Sequence, residues 1–248
     1  MNLTDKPMTI YEHLNDLRKT LIISLAAWLI ISTAAYFGFQ DRIFDFLTAP
    51  LREMDLKLVM TTPFEGFMVK IKASCFAGIL FSLPVILWEI WKFVLPALHT
   101  HEKKYLLLIV PPSLILFVAG MAFSYYFVLG VALKFLIMTA GSGFIPMLGA
   151  SKYLGFIIGV LLPFGFVFQL PLLSFVLTRI GLITYKTMAK KRKYAIVLIF
   201  IIAAVITPTP DVVTQCLMAL PMVLLYEISI LISRLARKKQ VPAHPEKS

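Results

Sequence analysis

Six stretches of the chain carry no charged residue: Leu21–Phe39, Ala73–Trp88, Tyr105–Leu133, Tyr153–Thr178, Tyr194–Pro210 and Val212–Tyr226. A helix needs about 20 mostly apolar residues to cross a bilayer, since each residue rises 1.5 Å and the hydrocarbon is roughly 30 Å deep. With flanking interfacial residues, the pattern predicts spans at about 20–39, 71–92, 104–134, 153–178, 194–207 and 212–233. Thr207-Pro208-Thr209-Pro210-Asp211 separates the last two, where two prolines remove donors and turn the chain. The fifth span is then only about 21 Å long. It must thin the bilayer or lean on longer neighbours, giving a hairpin that barely crosses. The first run is long, lacks a small-x-small cleavage site and precedes five more spans, so it reads as a span and not a cleaved signal peptide.

Composition agrees with this pattern. The 248 residues are 59% hydrophobic and 15% charged, against about 45–50% and 25% in soluble domains. A soluble enzyme domain and a disordered chain are both excluded. The net charge of +11 is mainly a topology signal. Lys6, Arg18 and Lys19 fall on one side of the spans. Lys92, Lys103 and Lys104 join them, as do six basic residues from Arg179 to Lys193 and five from Arg234 to Lys247. Basic residues mark the cytoplasmic face, so both termini are expected there, and no nucleic-acid partner is needed to explain the charge. Tyr36, Trp88, Trp91, Tyr125, Tyr126, Tyr153 and Tyr194 fall near span ends, as an aromatic belt does.

The expected architecture is an all-α integral membrane protein. Six transmembrane helices, several kinked, form a concave bundle with two short C-terminal spans. Residues 1–237 make one polytopic domain, and 238–248 are a basic, disordered cytoplasmic tail. A capping box at Thr9 and Glu12 starts a short amphipathic surface helix, with Ile10, Leu14, Leu17 and Leu21 on one face and Glu12, Asp16 and Lys19 opposite. In the longest outer loop, Ile43, Phe44 and Leu47 at helical spacing predict an interfacial helix ahead of Ala49-Pro50. Pro50, Pro84 and Pro210 are structural candidates, and Gly155 and Gly159 form a GxxxG pair that lets helices approach.

Catalytic machinery is not visible: there is no phosphate-binding Gly loop, HExxH, GxSxG or metal-spaced His cluster. The chain reads as a non-enzyme without metal or cofactor, and Cys75 and Cys216, both in apolar runs, read as buried thiols. The candidate chemistry lies in acids. Asp16 and Glu102 sit at helix entries on the expected cytoplasmic side. Asp16 pairing with Lys19, and Glu102 stabilising a helix start, would make them structural. As a functional pair they would await a cation, best an Arg, whose guanidinium forks onto a carboxylate. Glu89, Gln169 and Glu227 lie within spans two, four and six, where polar groups are costly and mark function by default. Pairing of Glu89 with Lys92, or of Glu227 with Arg234, is the structural alternative.

The run His13-Leu14-Asn15-Asp16-Leu17-Arg18-Lys19 resembles the HLxELRxR opening of the TatC family, the multi-span component of the twin-arginine protein translocase. Ala49-Pro50-Leu51, then Pro63, Glu65, Phe67 and Lys72, match in family order, as does Leu83 through Leu98 with its continuation His101-Glu102-Lys103-Lys104. Gly120 through Tyr125, Lys191-Arg192-Lys193-Tyr194, Thr209-Pro210-Asp211 and Pro221 through Ile228 complete a resemblance that covers nearly the whole chain.

The resemblance implies a receptor in the cytoplasmic (inner) membrane for folded proteins bearing twin-arginine signal peptides. It also implies work with single-span partners of the TatA and TatB type, driven by the proton-motive force, in a homo-oligomer within a larger complex. Signal-peptide binding maps onto Glu102 and Asp16, with Arg18, Phe93 and His101. Glu89, Gln169, Glu227 and Asp211 become candidates for partner contact or coupling. Three positions depart from the family. Asp16 stands where Glu is usual, Gln169 where the fourth span commonly has a buried Glu, and Glu89 where the second span often has Gln. This suggests a swapped carboxyl–amide pair across the bundle. The alternative function is an ion- or proton-coupled small-solute transporter with Glu89 and Glu227 as its acids.

Overall fold

The computed structural model describes residues 10–60, 62–94, 103–140, 148–207 and 212–236. Helix α1 (Ile10–Gly38) is followed by α2 (Gln40–Arg52), the two-residue strand β1 (Leu58–Val59) and α3 (Pro63–Val94). Then come α4 (Lys103–Phe123), a π-helical turn (Ser124–Leu129), α5 (Gly130–Ala140), strand β2 (Leu148–Gly149) and α6 (Ala150–Val167). The chain continues through α7 (Leu170–Arg179), α8 (Tyr185–Lys190), α9 (Arg192–Ile206) and α10 (Val212–Ala236). Among the described residues, five stretches are long and apolar enough to cross a membrane: Tyr11–Gly38, Pro63–Val94, Leu106–Phe135, Ala150–Arg179 and Val212–Ala236. The fifth expected span falls on α9, which has 15 residues. It runs antiparallel to α10, with Arg192 against Glu227 and Phe200 against Gln215.

Several helices begin, end or break differently from the charge pattern. The first span and the expected surface helix are one rod, α1, whose apolar residues Leu14 and Leu21 are exposed. In a membrane such residues meet acyl chains, so the stripe turned toward α3 is the polar one. The helix predicted ahead of Pro50 contains it: Pro50 lies in the last turn of α2. Proline has no N–H to give the carbonyl four residues back, and here Tyr125 donates its hydroxyl to that carbonyl, Phe46 O, at 2.7 Å.

The third span is interrupted by the π turn, and the fourth breaks at Phe168–Gln169 between α6 and α7. Pro171, in the first turn of α7, explains the second break, because it cannot donate to Val167. At the far end of α7, Gly181 at φ +82° reverses the chain: Leu182 N–H bonds Leu177 O at 3.0 Å and Gly181 N–H bonds Thr178 O at 3.1 Å.

The main core gathers Phe117, Leu129, Leu154, Ile157, Phe164, Met218 and Met222 between α4, α6 and α10. Helices approach closest at glycines, though not at the GxxxG pair. A Cβ at Gly120 would lie 2.7 Å from Phe164 O, and one at Gly165 would lie 2.7 Å from the Phe117 ring. Gly78 admits Ser32 of α1, whose Cα would lie 2.9 Å from a Cβ there. Gly155 and Gly159 instead meet only Lys72 Nζ and open space, respectively. Hydroxyls join α7 to α10: Ser174 donates to Ser229 O at 3.0 Å, and Thr178 and Ser233 hydroxyls lie 2.7 Å apart. By contrast α1 leans almost wholly on α3.

Candidate functional site

One end of the bundle is capped. Strands β1 and β2 pair in parallel, Leu58 with Leu148 and Val59 with Gly149. Beside them Glu65, 8% exposed, accepts the Ser151 N–H at 2.9 Å in the first turn of α6. A carboxylate there also opposes the positive end of the α6 dipole. Lys72, two turns along α3, donates to the Ser151 carbonyl at 2.9 Å and hydroxyl at 2.8 Å. Tyr153 donates to Leu47 O at 3.1 Å, and Tyr125 both bonds Phe46 O and stacks on the Phe46 ring at 4.7 Å. Asp45 and Arg52 form an exposed pair along α2.

Toward the end of α3 away from the cap, a polar clasp joins three helices. Trp91 Nε1 of α3 donates to Ser113 Oγ at 3.0 Å. The Ser113 hydroxyl donates to Gln169 Oε1 at 2.7 Å, and Gln169 Nε2 donates back to Ser113 O at 2.9 Å. At the break between α6 and α7 the Gln169 N–H bonds Phe166 O at 3.0 Å, three residues back, and its side chain reaches α4. Each group in this clasp is satisfied, as a buried amide requires.

The opposite end is where α1 begins and α3 finishes. His13 stacks on Phe93 with ring centroids 4.4 Å apart. Two turns along, the Thr20 hydroxyl reaches the Glu89 carbonyl at 3.5 Å, a contact too long to be a strong bond. Residues 13, 16 and 20 share one helix face, and 89 and 93 share another. Asp16 therefore lies between the two α1–α3 contacts. It is half-buried and makes no ion pair or hydrogen bond with any described residue, Lys19 included. Arg18 is exposed on the same turn.

Glu89, 7% exposed, is held by Lys92 at 3.3 and 3.4 Å. It shares no hydrogen bond with Gln169, so the expected carboxyl–amide pair across the bundle is not formed as a direct contact. Glu227 pairs with Arg192 at 2.8 Å, not with Arg234. Pro84 lies within α3. Thr9, His101, Glu102, Pro210, Asp211 and the 238–248 tail lie outside the described residues. Among the described residues no group of three His, Cys, Asp or Glu could hold a metal ion.

Sequence reasoning missed the structural duties of Tyr125 and Tyr153, which read only as interfacial aromatics. Their partners are 79 and 106 residues away. The signal for Tyr125 was Pro50, which announces an orphaned carbonyl at Phe46. Nothing local in the sequence signals Ser113 as the partner of both Trp91 and Gln169.

A mostly helical chain with five apolar helices of membrane length among its described residues is a multi-pass membrane protein. The family model for the Sec-independent protein translocase protein (TatC) matches residues 12–221, and the chain belongs to that family. Relatives agree along nearly the whole length. The Sec-independent protein translocase protein TatC of Carboxydothermus hydrogenoformans is 42% identical over 238 residues, covering 96% of this chain and 98% of that one. That of Aquifex aeolicus is 40% identical over 240 residues, covering 94% and 98%. A crystal structure of the twin arginine translocase receptor TatC superposes with a TM-score of 0.82 at 41% identity, covering 91% of this chain and 99% of that one.

Proposed function

We propose that this chain is the subunit of a twin-arginine translocase that receives the signal peptides of folded precursors. The observation that carries the reading is Asp16, a carboxylate left without a partner among the described residues, between the His13–Phe93 stack and the Thr20–Glu89 contact. Glu102, a few residues beyond Phe93 in the chain, is the second carboxylate of the proposed site. The end that carries Asp16 is cytoplasmic, α9 counts as a sixth short span, and both termini face the cytoplasm of a cell whose inner membrane holds the protein. The distribution of Lys and Arg supports this orientation.

An exposed Arg–carboxylate pair is worth about 0–1 kcal/mol, so two pairs discriminate more than they bind. Burial of the signal peptide's apolar stretch, at roughly 25 cal/mol per Å², supplies most of the affinity. Small single-span proteins of the TatA and TatB type assemble on the bundle, several copies form the working complex, and the proton-motive force drives export. Two of the intramembrane polar candidates have their own partners in the chain: Lys92 for Glu89 and Arg192 for Glu227. That disfavours the small-solute transporter, which needs acids free to load and release an ion.

The test is binding of a labelled signal peptide to the purified protein. Arg-Arg and Lys-Lys versions are compared on wild type, Asp16→Asn and Glu102→Gln. A preference for Arg-Arg that shrinks in both variants is expected. Equal binding of both peptides to wild type would overturn the reading.

A further inference from the structure

The corner between α8 and α9 holds a cavity of about 590 Å³ lined by Lys186, Thr187, Lys190, Lys191, Lys193 and Tyr194. Four of its six lining residues are lysines, and none is a carboxylate. The four lysines are exposed and make no ion pair with any described residue. The one nearby acid with a described partner, Glu227, is engaged by Arg192. The positive charge of the cavity is therefore uncompensated by any described residue.

The corner is also built firmly. Tyr226 of α10 donates its hydroxyl to Met188 O at 3.0 Å, and Arg192 bonds Glu227 at 2.8 Å. Thr184 caps α8 by accepting the Thr187 N–H at 3.2 Å, and Lys193 Nζ sits 5.2 Å from the Tyr194 ring centre. Lysines that only set topology need lie on one side of the membrane. These converge on one concavity held by the neighbouring Tyr226–Met188, Arg192–Glu227 and Thr184–Thr187 bonds.

Below the cavity the surface changes character. Tyr194, Val197, Leu198, Ile201 and Val205 of α9 are 65, 59, 56, 55 and 81% exposed. Their spacing of three to four residues makes a continuous apolar stripe that starts at the cavity wall. With 15 residues, α9 is about 22 Å long against roughly 30 Å of hydrocarbon. A short span draws the bilayer surface inward, which brings headgroups to the level of its first residue. A soluble anion would use the lysines and ignore the stripe. An acidic protein segment would need no acyl-sized apolar track.

We propose that this corner is a binding site for an anionic phospholipid, with the phosphodiester headgroup among Lys186, Lys190, Lys191 and Lys193 and the acyl chains along α9. Basic pockets beside transmembrane helices suit such headgroups. A headgroup with two phosphodiesters neutralises more of the four lysines than one with a single phosphate, so diphosphatidylglycerol binds more tightly than phosphatidylglycerol. The inference does not use the signal-peptide site, and lipid counting reads it independently of receptor activity.

The experiment is native mass spectrometry of the full chain in detergent with added diphosphatidylglycerol, phosphatidylglycerol or phosphatidylcholine. Retention is expected in that order. Lys→Gln changes at the four positions should each weaken retention of the first lipid by about fivefold. A Lys→Arg set at the same positions should restore it, which excludes misfolding as the cause. Removing the same number of charges at Arg237, Lys238, Lys239 and Lys247 should leave it unchanged. Retention of phosphatidylcholine equal to that of the anionic lipids would overturn the proposal. So would displacement of the lipid by millimolar inorganic phosphate, which would reveal an anion pocket, or by an acidic peptide, which would reveal a protein-docking surface.

Discussion

Glu65 and Asp16 are both carboxylates on a helix near one end of the bundle, and their surroundings differ. Glu65 is buried and takes the backbone N–H of Ser151, with Lys72 bonded to the same residue from the next turns of α3. Asp16 is half-buried between two helices and has no partner among the described residues. The same contrast runs through the neighbourhood. At the capped end a two-stranded pairing, two tyrosine hydroxyls and a lysine tie six elements together. At the other end the described contacts between α1 and α3 are one ring stack and one long hydroxyl contact. Polar groups bound to each other hold shape, whereas unpartnered ones are available to something else. The packing of α2, α3 and α6 at the capped end is of the first kind, and the space between the ends of α1 and α3 keeps the second.

The contrast can be broken most forcefully at Glu65. Glu65→Ala removes a charge-assisted bond from a buried site and is expected to cost about 2–3 kcal/mol, read as a lower midpoint of denaturation in detergent. The folded fraction should keep its preference for Arg-Arg peptides. A lost preference at unchanged stability would mean the capped end takes part in recognition.

The clasp should give the next largest effect. Gln169→Leu strips Ser113 of an acceptor and a donor and is expected to cost about 1–2 kcal/mol. Because Glu89 and Gln169 share no bond, stability changes from Glu89→Gln and Gln169→Glu should add within about 0.5 kcal/mol. A larger coupling in the double variant would restore the swapped-pair idea.

Two tyrosines sharpen the picture of the capped end. Tyr125→Phe leaves Phe46 O without its donor, and Tyr153→Phe removes a bond from Leu47 O, which the α2 ladder already serves. The first should cost about 1 kcal/mol and the second less. Pro50→Ala should rescue Tyr125→Phe alone, since the new N–H can reach Phe46 O. Equal costs without rescue would sink that account of the kink.

The smallest stability effect belongs to the open end. Asp16→Asn should change stability by less than about 0.5 kcal/mol, yet reduce the Arg-Arg preference by up to about fivefold. A marked loss of stability there would make Asp16 a structural residue after all.

The membrane helices were legible because the hydrocarbon core tolerates few charges, so five of the expected spans overlap membrane-length helices among the described residues, and the residues of the short fifth form the 15-residue helix α9. Helix α2 was legible from Ile43, Phe44 and Leu47, though its end was misjudged because a proline's orphaned carbonyl can be met from outside the helix. The break at Gln169 was written in Pro171 but overlooked within a continuous apolar run. The π turn at Ser124–Leu129 has no such marker. Partner choice was the least legible. Arg192 lies 35 residues from Glu227 and Arg234 only seven, yet the hairpin of α9 and α10 brings the distant one alongside. Chain separation sets no limit on contact once helices fold back antiparallel.

The notch at Gly78 has a mechanical side. Ser32 enters it so closely that the axes of α1 and α3 are pinned there, and few other elements touch α1. Toward Asp16, Trp28 Nε1 donates to Cys75 O at 3.0 Å, and beyond it only the long Thr20–Glu89 contact and the His13–Phe93 stack tie α1 to α3, so that stretch acts as a lever. Asp16 lies 16 residues from Ser32, about 24 Å along the helix, so a tilt of about 5° at the notch swings that carboxylate by about 2 Å. A glycine halfway along α3 thus sets how finely the end of α1 that carries Asp16 can be aimed.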